Sequence, residues 1–431
     1  MHKKFPAFGG AAANAECTVT LAEPKTMSSK LSTTPCAYCA SPDTVKRGWR
    51  EKKRERVQLW LCRSCLRAFT PKEVKGKHYP HRVIIDAMSY YNLGFSLEQA
   101  CKIIKQKTDF DISASTVANW VEEFKELCRY HRYRPFALKM FRPEHVVETA
   151  TLAHRQLYRF MWHRAKTRMI IREDIRHASF GPLAEFLSLV SSETPHQYFQ
   201  EGLRMSESPL RFSKEQMIVR SKHNFANALA AFALQGVERN KDRHEAVQKF
   251  MLANDTVTVA VEVPVYIRKD DLLHMQRQLG FELYAPDVAR RRGKSQWGLA
   301  VKADNIGSGL RQLSAEELPR LITGHIDLVQ VRNGQIHILD YKPNAAKEKP
   351  IEQLTLYAMA LSRLTGLRMY AFKCAWFDEK DYFEFFPLHV VHKGRGKQRK
   401  PRSDRKNIMT KEGVYTRNES LTDIALRPTL T

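Results

Sequence analysis

No stretch of the 431-residue chain holds 18 consecutive apolar residues, so no segment has the hydrocarbon length needed to cross a bilayer. The opening MHKKFPAFGGAAANAE lacks the apolar run that follows the basic start of a signal peptide. The expected location is the cytoplasm, beside the nucleoid in a prokaryote. No basic amphipathic helix or lipidation signal points to a membrane surface, and no internal repeat is visible. Acidic residues are also scarce: 46 Asp+Glu face 71 Lys+Arg, a formal net charge of +25. That surplus favours a polyanionic partner. DNA is the expected one, whether double-stranded, single-stranded or branched. Cysteine is sparse, eight in all, and a disulfide framework is not expected in a reducing compartment.

What is present is ordinary globular composition, 43% hydrophobic and 27% charged, over a length that suggests roughly two to four domains. The expected fold is multidomain. Residues 1–33 read as a disordered tail and 34–72 as a small four-cysteine zinc ribbon. Residues 73–132 read as a three-helix DNA-binding helix-turn-helix and 133–215 as a helical linker region. Residues 216–392 read as an α/β core with a central mixed sheet, and 393–431 as a basic disordered tail.

Four of the cysteines form two pairs, Cys36-x2-Cys39 and Cys62-x2-Cys65. Each short spacing turns the chain so that two thiolates converge. Two such knuckles complete a tetrahedral site that zinc fills with no open position, so the metal is structural rather than catalytic. Val57, Leu59 and Leu61 alternate as a strand does, and the run Lys52, Lys53, Arg54 and Arg56 suits phosphate contacts. CAYC, the KRG turn, LWLCRSC and RAFT together resemble the zinc ribbon that opens many insertion-sequence transposases.

The next segment is helical in pattern. Val83, Ile84, Ala87, Met88 and Tyr91 form a stripe that Gly94 ends, and Ser96 with Gln99 reads as a capping box. A third helix starts near 113–116. GFSLEQACKIIKQKTDFDISASTVANWVEEF resembles the helix-turn-helix of the same transposases. The resemblance implies that Ser113, Ser115, Thr116 and Asn119 face the major groove while Val117 and Trp120 pack inside. It ends at about residue 132, and no transposase catalytic domain follows.

The chemistry lies further on, in LITGHIDLVQVRNGQIHILDYKPNAAKEKPIEQLTLYAMAL. Asn333-Gly334 between two alternating runs predicts a hairpin with a two-residue turn. If Arg332 faces Gln335, Asp327 stands opposite Asp340 and His325 opposite Lys342. Period-two alternation then puts Asp327, Asp340, Lys342 and His325 on one face. Opposed carboxylates with β-carbons roughly 4.5–5.5 Å apart repel, and a divalent cation such as Mg²⁺ or Mn²⁺ removes that cost. Lys342 is placed to orient or help deprotonate an attacking water and to stabilise charge on a phosphate. That is metal-assisted phosphodiester hydrolysis.

GHID, DYK and EQLTLYA resemble the RecB-like branch of the PD-(D/E)xK nucleases, closely over 322–366 and more loosely over 216–392. The resemblance implies that Asp327, Asp340 and Lys342 are catalytic and that the Tyr341 carbonyl completes the metal shell. It also implies that Gln353 and Tyr357, four apart on a helix, look into the site. The branch often adds an upstream histidine ligand; His223 is the first candidate and His244 its rival. Glu262, in TVTVAVEVPVYI, stands opposite a face of valines at 257, 259, 261, 263 and 265, as a metal ligand or a supporting acid. Arg290, Arg291, Arg292, Lys294 and Trp297 suit a substrate-binding loop or an ordinary insert.

The expected function is therefore a Mg²⁺- or Mn²⁺-dependent deoxyribonuclease directed by its N-terminal module, in mobile-element or repair and recombination processing. The alternative is a non-catalytic DNA-binding regulator built on a nuclease-like scaffold; an RNA-acting enzyme is a third reading.

Overall fold

The computed structural model describes residues 34–51, 56–70, 78–214, 216–237, 239–286 and 310–391. The expectations for Lys52, Lys53, Arg54, for 290–297 and for both tails fall outside the described residues. The chain divides into two compact units, one of residues up to 48 with 58–71, the other of 49–57 with 72–431.

The first unit is organised around strands β1 (Thr44–Glu51), β2 (Arg56–Cys62) and β3 (Ala68–Phe69), in that order in one sheet. Its core is only Cys36, Trp60, Cys62 and Phe69. The β2 residues Leu59 and Leu61 are half-buried, and the inward positions at this end are Trp60 and Cys62. Four buried side chains stabilise little. The thiols supply the rest of the framework: Cys36, Cys39, Cys62 and Cys65 bring their sulfurs within 4.8 Å of one another. Cys36 Sγ is 3.6 Å from Cys65 Sγ, and Cys39 Sγ 3.5 Å from Cys62 Sγ. Zn–S bonds of ~2.3 Å give tetrahedral edges of about 3.8 Å, so these four residues fit a structural zinc ion.

The second unit begins with helices α1 (His81–Asn92), α2 (Leu97–Thr108) and α3 (Ala114–Glu123). The apolar stripe of α1 is buried at Val83, Ile84, Ala87 and Met88. Gly94 takes φ +113, which the chain reversal requires and a side chain disfavours. Ser96 accepts from Gln99 N while the Gln99 side chain accepts from Ser96 N, closing the capping box. Ser113 caps α3 by accepting from Thr116 N at 3.2 Å.

The segment read as a helical linker, 133–215, departs from that expectation. Short helices α4 (Arg134–Met140) and α5 (Arg164–Thr167) flank a β-hairpin, β4 (Val147–His154) with β5 (Gln156–His163); α6 (Gly181–Glu193) and α7 (His196–Glu201) follow. In β5 the aromatics Tyr158, Phe160 and Trp162 recur with period two and pack on one face, whereas Met161 joins the core of the other. In the second half of β5, Phe160, Met161 and Trp162 are buried on both faces, which hides the polar alternation of a strand.

The hairpin extends a nine-stranded mixed sheet. Its further strands are β6 (Leu203–Arg204), β7 (Arg220–Ser221), β8 (Thr258–Arg268), β11 (Leu321–Arg332), β12 (Gln335–Tyr341), β13 (Phe372–Phe377) and β14 (Tyr382–Phe385). The order is β4-β5-β8-β11-β12-β13-β14-β7, with β6 beside β11; β9 (Tyr284–Pro286) and β10 (Leu310–Gln312) pair separately. β12 and β13 are parallel, joined through α11 (Ile351–Thr365), while β11 runs antiparallel to both of its long neighbours, β8 and β12. One core gathers α6, α10 (Lys269–Gln278) and α11 with Val329, Val331, Ile336 and Ile338. The opposite core gathers α8 (Phe225–Leu234) and α9 (Arg243–Asn254) with Leu328, Leu339 and Tyr341, and it also contains α1 and α3. The three-helix module thus shares its hydrophobic core with the sheet.

His325 does not face Lys342 as expected. It stacks on Tyr158, ring centroids 3.6 Å apart, and its Nε2 is 2.8 Å from His154 Nδ1; His154 Nε2 is 2.9 Å from His196 Nδ1. Burial, then the neighbouring His196, pushes His154 down to about 4, and burial with His154 pushes His325 down to about 3. Both stay neutral in the fold at a pH where an unfolded chain's histidines, near 6.5, bind protons. Protons then favour the unfolded state, so stability falls as pH drops from about 6.5 toward 4. A thermal melt at pH 5 should give a lower Tm than at pH 7, with a shallower drop in His154→Gln; a Tm unchanged or higher at pH 5 would contradict this.

Candidate active site

The hairpin register is Arg332↔Gln335 through Leu328↔Leu339, which brings Asp327 level with Asp340. On the other side of β11, Ile326 pairs with Val263 and Leu328 with Val261. Glu262 therefore stands level with Asp327, and three adjacent strands each bring one acid to the same height.

At that height the strands kink. Glu262 takes φ +51, a left-handed conformation that costs a non-glycine residue of order 1–3 kcal/mol. The kink reverses the alternation. Val261 lies in the core beneath α9 and Val263 in the opposite core, so the five valines do not share one face as expected; Leu328 and Ile326 are divided in the same way. Strain of this kind at three convergent acids makes this height of the sheet the candidate site.

The acids are tied to their surroundings individually. Asp327 Oδ2 accepts from Tyr341 N at 3.2 Å and lies 3.3 Å from His244 Nδ1. Asp340 is 2% exposed. Lys342 Nζ is 3.1 Å from its Oδ2, off the axis of a hydrogen bond, which leaves that buried oxygen with no hydrogen-bond partner. Glu262 Oε1 accepts from Gln248 Nε2 at 2.7 Å. Burial and the charge of Asp327 raise Asp340 well above the usual carboxylate range. Burial also opposes ionisation of Asp327, but His244, Asp340 and Lys342 outweigh it and hold Asp327 low. Burial and Asp327 push Glu262 up to about 8. Lys342 is raised: its burial is outweighed by Asp340 and Asp327, so its ammonium stays charged.

Burial, a like-charged neighbour and an oxygen with no hydrogen-bond partner make the charged form of Asp340 costly, a cost that a cation would relieve. Asp327, Asp340 and His244 fit a divalent metal. Among the described residues only the four thiols form a closed set of three or more ligating side chains. The acidic site is more open, which suits an ion that keeps several waters.

Two helices complete the site. On α11, Gln353 Nε2 donates to Tyr357 OH at 2.8 Å, and the phenol is held far above its usual value by burial and by Asp340 and Asp327. On α9, His244 and Gln248, one turn apart, reach Asp327 and Glu262. Arg243 donates to Tyr341 OH at 2.7 Å and also pairs with Glu379, while His244 meets the Tyr341 ring edge-on at 5.2 Å. His223, the first candidate for the histidine ligand, is exposed in the turn before α8; the imidazole that reaches Asp327 belongs to its rival. A lone histidine carries little signal. The recoverable clue was the polar pair His244 and Gln248, one turn apart on α9, with Gln248 buried among the apolar residues of that helix.

On α3, Ser113, Ser115 and Asn119 are exposed, Thr116 is half-buried, and Val117 and Trp120 are buried. The Ser113 hydroxyl is taken up in capping and in contacts with Ser115 and Thr116, leaving Ser115 and Asn119 the freer pair.

Residues 206–412 match the family model of the PD-(D/E)XK nuclease superfamily. No curated protein and no solved structure matches the chain.

Gly324, three residues before Asp327, makes the site possible. A Cβ there would lie 2.6 Å from Tyr357 Cε1 and 3.2 Å from Met205 Sδ. Gly324→Ala is expected to displace the phenol and destabilise by about 1–3 kcal/mol. In a double-mutant cycle by chemical denaturation, Gly324→Ala with Tyr357→Ala should cost less than the sum of the two; strict additivity would show that the ring and the glycine do not meet.

Proposed function

We propose, on the premise that residues 206–412 form a domain of the PD-(D/E)XK nuclease superfamily, that the chain is a divalent-metal-dependent DNA nuclease. The observation that carries this is the meeting of Asp327, Asp340 and Lys342 across one hairpin, with an orphaned carboxylate oxygen among them. Asp327, Asp340 and the Tyr341 carbonyl would hold Mg²⁺ or Mn²⁺, with His244 as the added ligand. When bound, such an ion supplies Lewis-acid stabilisation of charge on a phosphate and lowers the pKa of water.

The chain's own groups do the rest. The Lys342 ammonium is charged and 25% exposed, so it donates to a phosphate oxygen and stabilises the charge that builds there as water oxygen bonds to phosphorus and the ester P–O bond breaks. The acidic surroundings favour its charged form, so it acts as a cation rather than a base. Gln248 fixes Glu262, and Gln353 fixes Tyr357, so neither side chain swings into the site. The +25 charge supports a nucleic-acid substrate. The zinc-ribbon-like cysteine cluster and the three-helix module are read as the parts that bring the site to DNA in the cytoplasm or nucleoid. A mobile-element or repair role follows from the transposase resemblance of that N-terminal part.

Incubated with supercoiled plasmid and Mg²⁺ or Mn²⁺, the wild type should nick or linearise it, and Lys342→Ala should lose about 10²–10³-fold in rate while still retarding DNA in a gel. Retardation without cleavage of duplex, single-stranded or branched DNA by the wild type would favour the regulator on a nuclease-like scaffold; cleavage of matched RNA alone would redirect the substrate.

A further inference from the structure

We infer that the three-helix module and the acidic site form one rigid body through α9, so that a duplex gripped at α3 is cut at a fixed distance from the grip. This rests on the reading of the chain as a DNA nuclease with α3 as its reader, and it adds what that reading leaves open: the relation between the bound sequence and the cut.

A tethered reader is joined by exposed chain and few contacts. Here α9 serves both ends. His244 and Gln248 face Asp327 and Glu262, while Val247, Phe250 and Met251 lie in one core with Val83, Ile84 and Met88 of α1 and with Val117 and Trp120 of α3. Phe232 of α8 sits at the join, its ring 4.8 Å from Phe124 at the end of α3 and 5.3 Å from Phe250. Its carbonyl is 3.1 Å from His81 Nε2 at the start of α1.

Polar contacts fix the register of this packing. The fully buried Asn254 accepts from Asn92 Nδ2 at 2.7 Å and donates to Ser89 Oγ at 2.9 Å, both on α1. Such buried bonds tolerate little sliding, because a displaced amide would be left unsatisfied. The far end of α9 is pinned too: the buried Lys166 Nζ donates to Leu252 O at 2.6 Å and lies 3.2 Å from Asp255. Gly236, after α8, lets α1 approach closely, since a Cβ there would stand 3.1 Å from Arg82 N. Close-packed interiors move as units. The exposed Ser115 and Asn119, four apart on α3, are therefore held at a constant offset from Asp327 and Asp340.

The test uses the full-length chain. Duplexes retained by Lys342→Ala from a random library define the bound sequence, and wild type with Mg²⁺ is then mapped on end-labelled duplexes carrying it. We expect cuts confined to one or two adjacent phosphates per strand, and a 5-base-pair shift of the bound sequence should shift every cut by five. Asn119→Ala should lose this placement, its cuts scattering along the duplex. Cuts spread over many positions, or unmoved when the sequence moves, would overturn the rigid coupling and leave the nuclease reading intact. A library that yields no preferred sequence would overturn both α3 as reader and the inference built on it.

Discussion

Asp327, half-buried, and Asp340, buried, are two carboxylates side by side on neighbouring strands, and their mutual repulsion is the constraint around which the second unit is arranged. Folding alone would remove such a pair, since replacing either acid would relieve both desolvation and like-charge cost. The chain instead surrounds it. Tyr341 N and His244 meet Asp327 and His244 favours its charged form, burial and Asp327 raise Asp340 well above the usual carboxylate range, and Lys342 pairs with Asp340. The left-handed Glu262 adds backbone strain at the same height. A divalent cation would relieve the charge cost, and under the function proposed above it would also supply the chemistry.

The sheet and helices serve this point in different ways. β11 and β12 bring the acids level, α11 walls one side with Tyr357 in the space Gly324 leaves, and α9 closes the other with His244 and Gln248. Because α9 is also packed against α1 and α3, movement of the N-terminal helices would reach the acidic side chains through one element.

Much of this was legible in the residues. Asn333-Gly334 fixed the hairpin register because a two-residue turn leaves no freedom in pairing. The paired cysteine spacing anticipated converging thiols, and Ser96 with Gln99 anticipated a helix start. What was not legible depended on long-range packing. The β4–β5 hairpin looked helical because the second half of β5 is buried on both faces, which erases polar alternation there. The kink at Glu262 is imposed by three acids meeting across strands, so strict period-two reasoning misplaced both the valines and His325. The choice between His223 and His244 turned on which helix face meets β11, and no local pattern contains that information.

The central claim is that the buried acid pair is a cation site, and it is tested most directly by titrating Mn²⁺ into the zinc-loaded protein under electron paramagnetic resonance. The account predicts saturable Mn²⁺ binding that is lost in Asp327→Asn and again in Asp340→Asn, with the fold retained by circular dichroism. Equal Mn²⁺ binding by wild type and both variants would contradict it.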